Sequence, residues 1–128
     1  MKRFVPFFLS FLLLTGCTAP AESEASYQQI SVDEAIAMME KESDYIILDV
    51  RTPEEFADKY IPDAINIPNE TIGTAEISEL PDKAQLILVY CRCGNRSKQA
   101  SEKLAALVYT NVVEFGGIND WPGDTVNG

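Results

Sequence analysis

The chain is 128 residues long, with 46% hydrophobic and 23% charged residues, which is the composition of a globular protein rather than a disordered or fibrous one. Twenty acidic against ten basic residues give a formal net charge of −10. This charge argues against a nucleic-acid partner, because so acidic a chain is not expected to have a basic surface broad enough to neutralise many phosphates. The chain contains no histidine, so every mechanism that needs an imidazole base is excluded, and the commonest zinc ligand is missing.

The first 16 residues have the pattern of a secretory signal peptide. Lys2 and Arg3 precede the apolar run Phe4–Leu14, which is too short to span a bilayer core. The run ends in the sequence LTGC, which resembles the bacterial lipobox, and the resemblance implies cleavage before an acylated Cys17. We therefore expect a domain exported across the cytoplasmic membrane and held to a bacterial membrane through its N-terminal lipid only.

The mature chain is predicted to be a tether followed by one domain. Residues 17–26 are expected to form the lipidated cysteine and a solvated tether, since Thr18–Ser26 contains no large apolar side chain. Residues 27–128 contain no repeat and no second linker. Their helical and strand patterns alternate, which predicts an α/β fold with a central parallel sheet and helices on both faces. Ligands bind beyond the carboxyl ends of the strands in such sheets.

In chain order, the first predicted element is a helix that begins after Ser31, which has capping-box spacing to Glu34. The apolar residues of Val32–Met39 fall on one helical stripe. The apolar run Tyr45–Val50 predicts a strand that is buried on both faces. A second capping box follows at once and predicts a short helix over residues 52–59, with a proline at its first position.

The second half of the domain repeats this alternation. Ala64–Ile67 predicts a short strand, and Thr71–Leu80 is expected to be irregular. Leu86–Tyr90 and Val112–Phe115 predict two further strands, and an amphipathic helix is predicted between them from Ser97 onward. The residues of this helix that are expected to face the core are Ala100, Leu104, Leu107 and Val108.

The segment CRCGNRS, from Cys91 to Ser97, joins a predicted strand to a predicted helix. Backbone N–H groups at such a point can form an anion-binding nest, and the basic side chains of this segment and of Lys98 add positive charge. Both effects favour a thiolate without an external base, and Gly94 permits the tight curl that the segment needs. The residues alone leave open that Cys91 is a small buried structural side chain.

Four motifs in this domain resemble the rhodanese family. They are LDVRTPEEF at 48–56, IPDAINIP at 61–68, VYCRCGNRS at 89–97 and FGGINDWPG at 115–123, and they occur in order across the domain. The resemblance implies a rhodanese-like fold and a thiosulfate sulfurtransferase activity. In that family the cysteine that opens the loop takes a sulfane sulfur from an anionic donor such as thiosulfate, holds it as a persulfide, and passes it to a thiol or to cyanide.

The resemblance also implies roles for particular residues. Cys91 is the expected nucleophile, and Asp49 and Arg51 match the family's DVR and are expected to form a supporting ion pair. Arg92 and Arg96 are expected to attract the anionic donor, and Arg96 also to brace the loop. The N–H groups of the loop would stabilise the anionic sulfur. The expected loop residues are Arg92, Cys93, Gly94, Asn95, Arg96 and Ser97. Three further residues match the family's GGxxxW signature and are expected to be structural: Gly116, Gly117 and Trp121.

Cys93 indicates a possible second function, because members of the family more often have a small or hydroxylated residue at this position. The Cys91/Cys93 pair predicts, as an alternative, a thiol–disulfide redox protein. A phosphatase or arsenate reductase is less favoured, since those loops read CxxxxxR and this one reads CxxxxR. A non-catalytic binding module is expected if Cys91 is buried or the loop open. Two thiolates fall short of a zinc site, so neither a metal nor a cofactor is expected, and we expect a monomer.

Overall fold

The computed structural model describes residues 26–127, so the predicted leader and Cys17 lie outside the described residues. Within that range the chain forms one parallel sheet with strand order β1-β5-β4-β2-β3. The strands are β1 (Gln28–Gln29), β2 (Tyr45–Asp49), β3 (Ile65–Asn66), β4 (Leu86–Cys91) and β5 (Val112–Gly117). The α-helices of the same range are α1 (Val32–Lys41), α2 (Pro53–Asp58) and α3 (Asn95–Ala106). The predicted fold, a single α/β domain with a parallel sheet, is confirmed.

Both predicted capping boxes are present. The Ser31 hydroxyl accepts from the Glu34 backbone N–H at 3.1 Å, and the Glu34 carboxylate accepts from the Ser31 N–H at 2.9 Å. Thr52 and Glu55 make the same reciprocal pair at the start of α2, with bonds of 3.2 and 3.1 Å. Each pair satisfies two backbone groups that the first turn of a helix would otherwise leave unpaired, so these two helix starts are set by local sequence.

Two apolar cores lie on opposite faces of the sheet, as strand alternation requires. On one face Leu48, Val89 and Val112 pack with residues of α3, and on the other Leu88 and Phe115 pack with residues of α1 and α2. The central strands are therefore buried on both sides, which confirms the prediction made from their continuous apolar runs. Cys91 belongs to the α3 side of the sheet.

The structure corrects the predicted α3 at both of its ends. The helix begins at Asn95, before the predicted Ser97, because Gly94 adopts a left-handed φ of +116° and its carbonyl accepts the first helical bond, from the Lys98 N–H at 3.2 Å. The helix ends before Val108, so the prediction that this residue faces the core is wrong. Val108 lies in a left-handed turn at φ +64° with 65% of its surface exposed. Tyr109, which is buried, occupies the core after that turn.

Strand β1 was not predicted, because its two residues are exposed glutamines without an apolar pattern. It is placed by pairing with β5, through Gln28 opposite Val113 and Gln29 opposite Glu114. Among residues 26–127, no helix has both the length and the apolar character that would allow it to cross a membrane.

Candidate active site

Cys91 is the last residue of β4, and its sulfur is enclosed by the loop that follows. The Gly94 N–H donates to Sγ at 3.0 Å, and the Ser97 hydroxyl oxygen lies 3.4 Å from Sγ. Gly94 can direct its N–H toward the sulfur because glycine adopts a positive φ at little cost in free energy. The enclosure is nearly complete, since only 1% of Cys91 is exposed. The loop therefore supplies hydrogen bonds that suit an anionic sulfur, but it also keeps that sulfur from solvent.

The loop rests directly on the backbone of β5. The Asn119 N–H donates to the Arg92 carbonyl at 3.1 Å. A Cβ atom on Gly117 would lie 2.0 Å from that carbonyl oxygen and 2.6 Å from the Cys93 nitrogen. The second glycine of the GG pair is thus required by a close approach of two backbones, while the first, Gly116, has a left-handed φ of +98°. Both glycines are structural, as the sequence predicts.

A buried carboxylate stands behind the loop, and sequence reasoning missed it. The Ser97 hydroxyl donates to Glu114 Oε2 at 2.5 Å, and the Gly116 N–H donates to the same oxygen at 2.9 Å. Ser97 and Glu114 are both buried. Cys91, Ser97 and Glu114 therefore form one continuous chain of polar contacts beneath the loop. The available signal was an acidic residue in the middle of an apolar strand pattern.

Arg96 pairs with a carboxylate on helix α2. Its Nη1 and Nη2 donate to the two carboxylate oxygens of Glu55 at 2.7 and 3.0 Å. This hydrogen bond, opposed by burial and assisted by Thr52, lowers the pKa of Glu55 from 4.5 to about 2. The same bond raises the pKa of Arg96. Arg96 thus ties the loop to α2, and Glu55 balances the charge that was expected to attract a donor. Sequence reasoning had given Glu55 only its capping role.

The expected ion pair between Asp49 and Arg51 is present and buried. Arg51 Nε and Nη2 donate to the Asp49 carboxylate at 3.0 and 2.6 Å, and Nη2 also donates to the Lys59 carbonyl at 2.6 Å. Burial opposes the charge of Arg51, but the Asp49 carboxylate more than offsets it and holds the pKa of the guanidinium above its ordinary value. The pair joins the end of β2 to the end of α2, on the opposite side of the sheet from the thiol.

The remaining loop side chains face solvent. Arg92, Cys93 and Asn95 are exposed, and Cys91 and Cys93 are both free thiols. A cleft of about 450 Å³ lies beside the loop and includes Arg92 in its lining but not Cys91. The other lining residues are Arg51, Glu54, Glu55, Asp58, Lys59, Ile118 and Asn119. The exposed positive charge of Arg92 therefore lies at the cleft, while the thiol stays beneath the loop.

Trp121 packs near this end of the sheet as expected. Its ring lies 6.3 Å from that of Phe115, and its indole N–H donates to the Asp124 carbonyl at 2.9 Å. Neither contact touches the Cys91 sulfur, which fits the structural role predicted for this tryptophan.

Residues 31–124 match the family described as "Rhodanese-like domain". The chain is 38% identical to thiosulfate sulfurtransferase PspE of Escherichia coli over 73 residues, which are 57% of this chain and 70% of PspE. It is 40% identical over 79 residues to a sulfurtransferase of Allochromatium vinosum, covering 61% of this chain and 72% of that protein. A solved structure described as a rhodanese with anions from E. coli superposes with a TM-score of 0.60 at 36% identity, over 66% of this chain and 99% of the other. The chain belongs to the rhodanese-like domain family.

Proposed function

We propose that this protein is a sulfurtransferase that carries a sulfane sulfur on Cys91, from thiosulfate or a similar anionic donor to a thiol or cyanide acceptor. The observation that carries the proposal is the position of the Cys91 sulfur at the end of β4, under the Gly94 N–H and beside the Ser97 hydroxyl. It is supported by membership of the rhodanese-like family and by relatives named as sulfurtransferases. The exposed Arg92 and Lys98 supply positive charge for an anionic donor.

The transfer needs no cofactor and balances in two displacements. The Cys91 thiolate attacks the sulfane sulfur of thiosulfate, the sulfur–sulfur bond of the donor breaks, and sulfite leaves with the electron pair. The Gly94 N–H stabilises the Cys91 thiolate before this step and again when it leaves in the second displacement. The acceptor then attacks the outer sulfur of the persulfide, and Cys91 leaves as the thiolate with which it began.

The burial of Cys91 means that sulfur transfer requires the loop to open, and it favours a non-catalytic binding module as the competing function. Because only 1% of Cys91 is exposed, a donor reaches the sulfur only after the loop moves aside, so transfer includes an opening of the loop. If the loop never opens, the domain is a non-catalytic binding module, which is the outcome that the sequence predicts for a buried cysteine.

Intact mass after thiosulfate treatment, and again after cyanide, tests the proposal. The chain carrying Cys17→Ser is compared with the same chain carrying Cys91→Ser or Cys93→Ser, so each remaining thiol is accounted for. We expect one sulfur to be added and then removed by cyanide, with the adduct absent in Cys91→Ser and retained in Cys93→Ser. No adduct, together with no reaction of Cys91 with iodoacetamide, would establish the binding module instead.

The same samples test the redox alternative, which Cys93 favours because its thiol is exposed two residues after Cys91. A loss of two hydrogens that requires both cysteines, without any sulfur adduct, would replace sulfur transfer by thiol–disulfide chemistry. A bridge between residues so close in sequence would be strained and readily reduced.

The location proposed for this activity is outside the cytoplasmic membrane, with Cys17 as the lipid anchor. The support is the basic and apolar leader and its LTGC sequence. Mass analysis of the N-terminal peptide from the membrane fraction of a bacterial host should find a chain that begins at an acylated Cys17. An uncleaved leader, or an unmodified Cys17, would contradict the anchor and leave the chemistry of Cys91 untouched.

A further inference from the structure

A carboxylate is buried on the same face of the sheet as the Cys91 thiol. Along β5 the side chains alternate, so Val113 and Phe115 join the core under α1 and α2 while Glu114 lies on the α3 side. Only 2% of Glu114 is exposed, and the ion pairs found among residues 26–127 do not include it. Burying a carboxylate without a paired cation costs free energy, because the charged group loses its contact with water. A specific role of Glu114 would explain its presence.

The carboxylate is connected to the thiol through one hydroxyl group. The Ser97 hydroxyl has a single hydrogen and three acceptors within reach: Glu114 Oε2 at 2.5 Å, the Gly94 carbonyl at 2.9 Å and the Gly116 carbonyl at 3.3 Å. The hydrogen is assigned to Glu114 Oε2, because this acceptor is the nearest and belongs to a carboxylate. Its lone pairs are then free to accept from the thiol of Cys91, whose sulfur lies 3.4 Å away. The Gly116 N–H holds Oε2 in place at 2.9 Å, and the Gly94 N–H holds the sulfur at 3.0 Å.

We propose that Glu114 is the proton acceptor for Cys91, reached through the hydroxyl of Ser97; this inference rests on the proposed role of Cys91 as the sulfur carrier. The thiol proton moves to Ser97 Oγ as the Ser97 proton moves to Glu114 Oε2. The products are a thiolate and a neutral carboxylic acid, so one negative charge changes place and no electrons are exchanged. Ser97 then donates to the thiolate beside the Gly94 N–H. A chain without histidine thereby obtains a base for its nucleophile.

Two ionisable side chains lie beside the chain of contacts, one at each end. On the carboxylate side is Tyr27, the residue before β1, whose pKa is raised by burial and then by the charges of Glu102 and Glu114. On the sulfur side is Arg96, whose pKa is raised first by its bond to Glu55 and further by the charge of Cys91. Because the Arg96 charge is balanced by Glu55, the direction of transfer depends on hydrogen bonds. After the transfer the sulfur accepts from the Gly94 N–H and from the Ser97 hydroxyl, and hydrogen bonds to the charged form favour a thiolate.

The decisive comparison is Glu114→Gln in the full chain carrying Cys17→Ser and Cys93→Ser. Glutamine keeps the size of the side chain and can accept from Ser97 and Gly116, but it cannot take the proton. Thiolate absorbance of Cys91 is read near neutral pH against the matching Cys91→Ser chain. We expect Glu114→Gln to lose most of this signal and to form the sulfur adduct on the order of a hundredfold more slowly.

The direction in which Glu114→Gln changes the thiolate signal distinguishes a proton acceptor from a carboxylate that only repels the thiolate. If Glu114 only repelled the thiolate, glutamine would raise the thiolate signal near neutral pH and speed sulfur loading, and either result overturns the inference. Glu40→Gln is the matched control, because it removes one exposed carboxylate from α1, on the opposite face of the sheet from the thiol. We expect it to change neither the thiolate signal nor the loading rate.

Two further measurements keep the inference testable if Glu114→Gln does not fold. Ser97→Ala breaks the contact at its middle and should lower the thiolate signal in the same way; an unchanged signal would overturn the relay. Infrared difference spectra near neutral pH between the chain that keeps Cys91 and the matching Cys91→Ser chain should contain the band of a protonated carboxyl group. Loading without that band would refute the inference and leave sulfur transfer standing. A chain that never loads refutes the proposed function, while the thiolate measurement still tests Glu114.

Discussion

Replacing Gly117 by alanine should disable the loop while leaving the rest of the fold in place. The added Cβ would lie 2.0 Å from the Arg92 carbonyl oxygen and 2.6 Å from the Cys93 nitrogen, and both neighbours are backbone atoms that cannot rotate away. The loop and β5 must then separate by at least about 1 Å, a strain that typically costs about 2 kcal/mol. For a domain of about a hundred residues this corresponds to a fall in melting temperature of roughly 10 °C.

The same displacement should affect sulfur transfer more strongly than stability. The Gly94 N–H sits 3.0 Å from the sulfur, so a shift of about 1 Å removes that hydrogen bond and misplaces the nucleophile, which costs on the order of a hundredfold in rate. Thermal unfolding by circular dichroism and the rate of adduct formation by intact mass measure the two effects. Gly73→Ala is the control, since a Cβ there meets no atom within 4 Å. Equal behaviour of the Gly117 and Gly73 variants would refute the reasoning.

Three other predictions concern the stability of the domain, through the buried ion pair of Arg51, the carboxylate of Glu55 and the end of α3. Asp49→Asn leaves the buried guanidinium of Arg51 without its carboxylate and should cost about 3 to 5 kcal/mol in urea unfolding; a loss below about 1 kcal/mol would contradict a buried pair. Because the pKa of Glu55 is lowered from 4.5 to about 2, its contribution is complete above pH 4.5 and lost as the pH falls toward 2. The free energy of unfolding, measured as the pH falls from 4.5 toward 2, should therefore decrease less in Glu55→Gln than in the unsubstituted chain. An equal decrease would show that the carboxylate contributes nothing. Leu104→Ala should cost about 2 to 5 kcal/mol and Val108→Ala almost nothing, since only Leu104 is buried, and equal losses would contradict the corrected end of α3.

Local sequence determined the elements that local interactions form. The boxes at Ser31 and Thr52 join groups three residues apart, so their helix starts can be read without knowing the fold. The runs that became β2, β4 and β5 are apolar on both faces, which only a sheet covered on two sides can bury. The family motifs then identified the loop after β4 as the candidate site and Gly117 as a structural residue.

Helix ends and single side-chain positions followed local sequence less closely. The apolar stripe of α3 continues through Val108, but the backbone turns left-handed there and the core position passes to Tyr109. The Tyr109 hydroxyl donates to the Leu80 carbonyl at 2.5 Å, a contact between residues 29 positions apart. A pattern of side chains on one helix does not contain that contact, so it could not predict where the helix stops.

Only the tertiary structure decided what surrounds the sulfur. Glu55 and Arg96 are 41 residues apart, and Ser97 and Glu114 are 17 apart, yet each pair is joined by hydrogen bonds. Parallel strands bring their carboxyl ends to one edge of the sheet, so the loop after β4 meets side chains from distant segments. Sequence spacing fixes the chemistry of the cysteine loop, while its closure over Cys91 and the carboxylate behind it depend on the order and register of the strands.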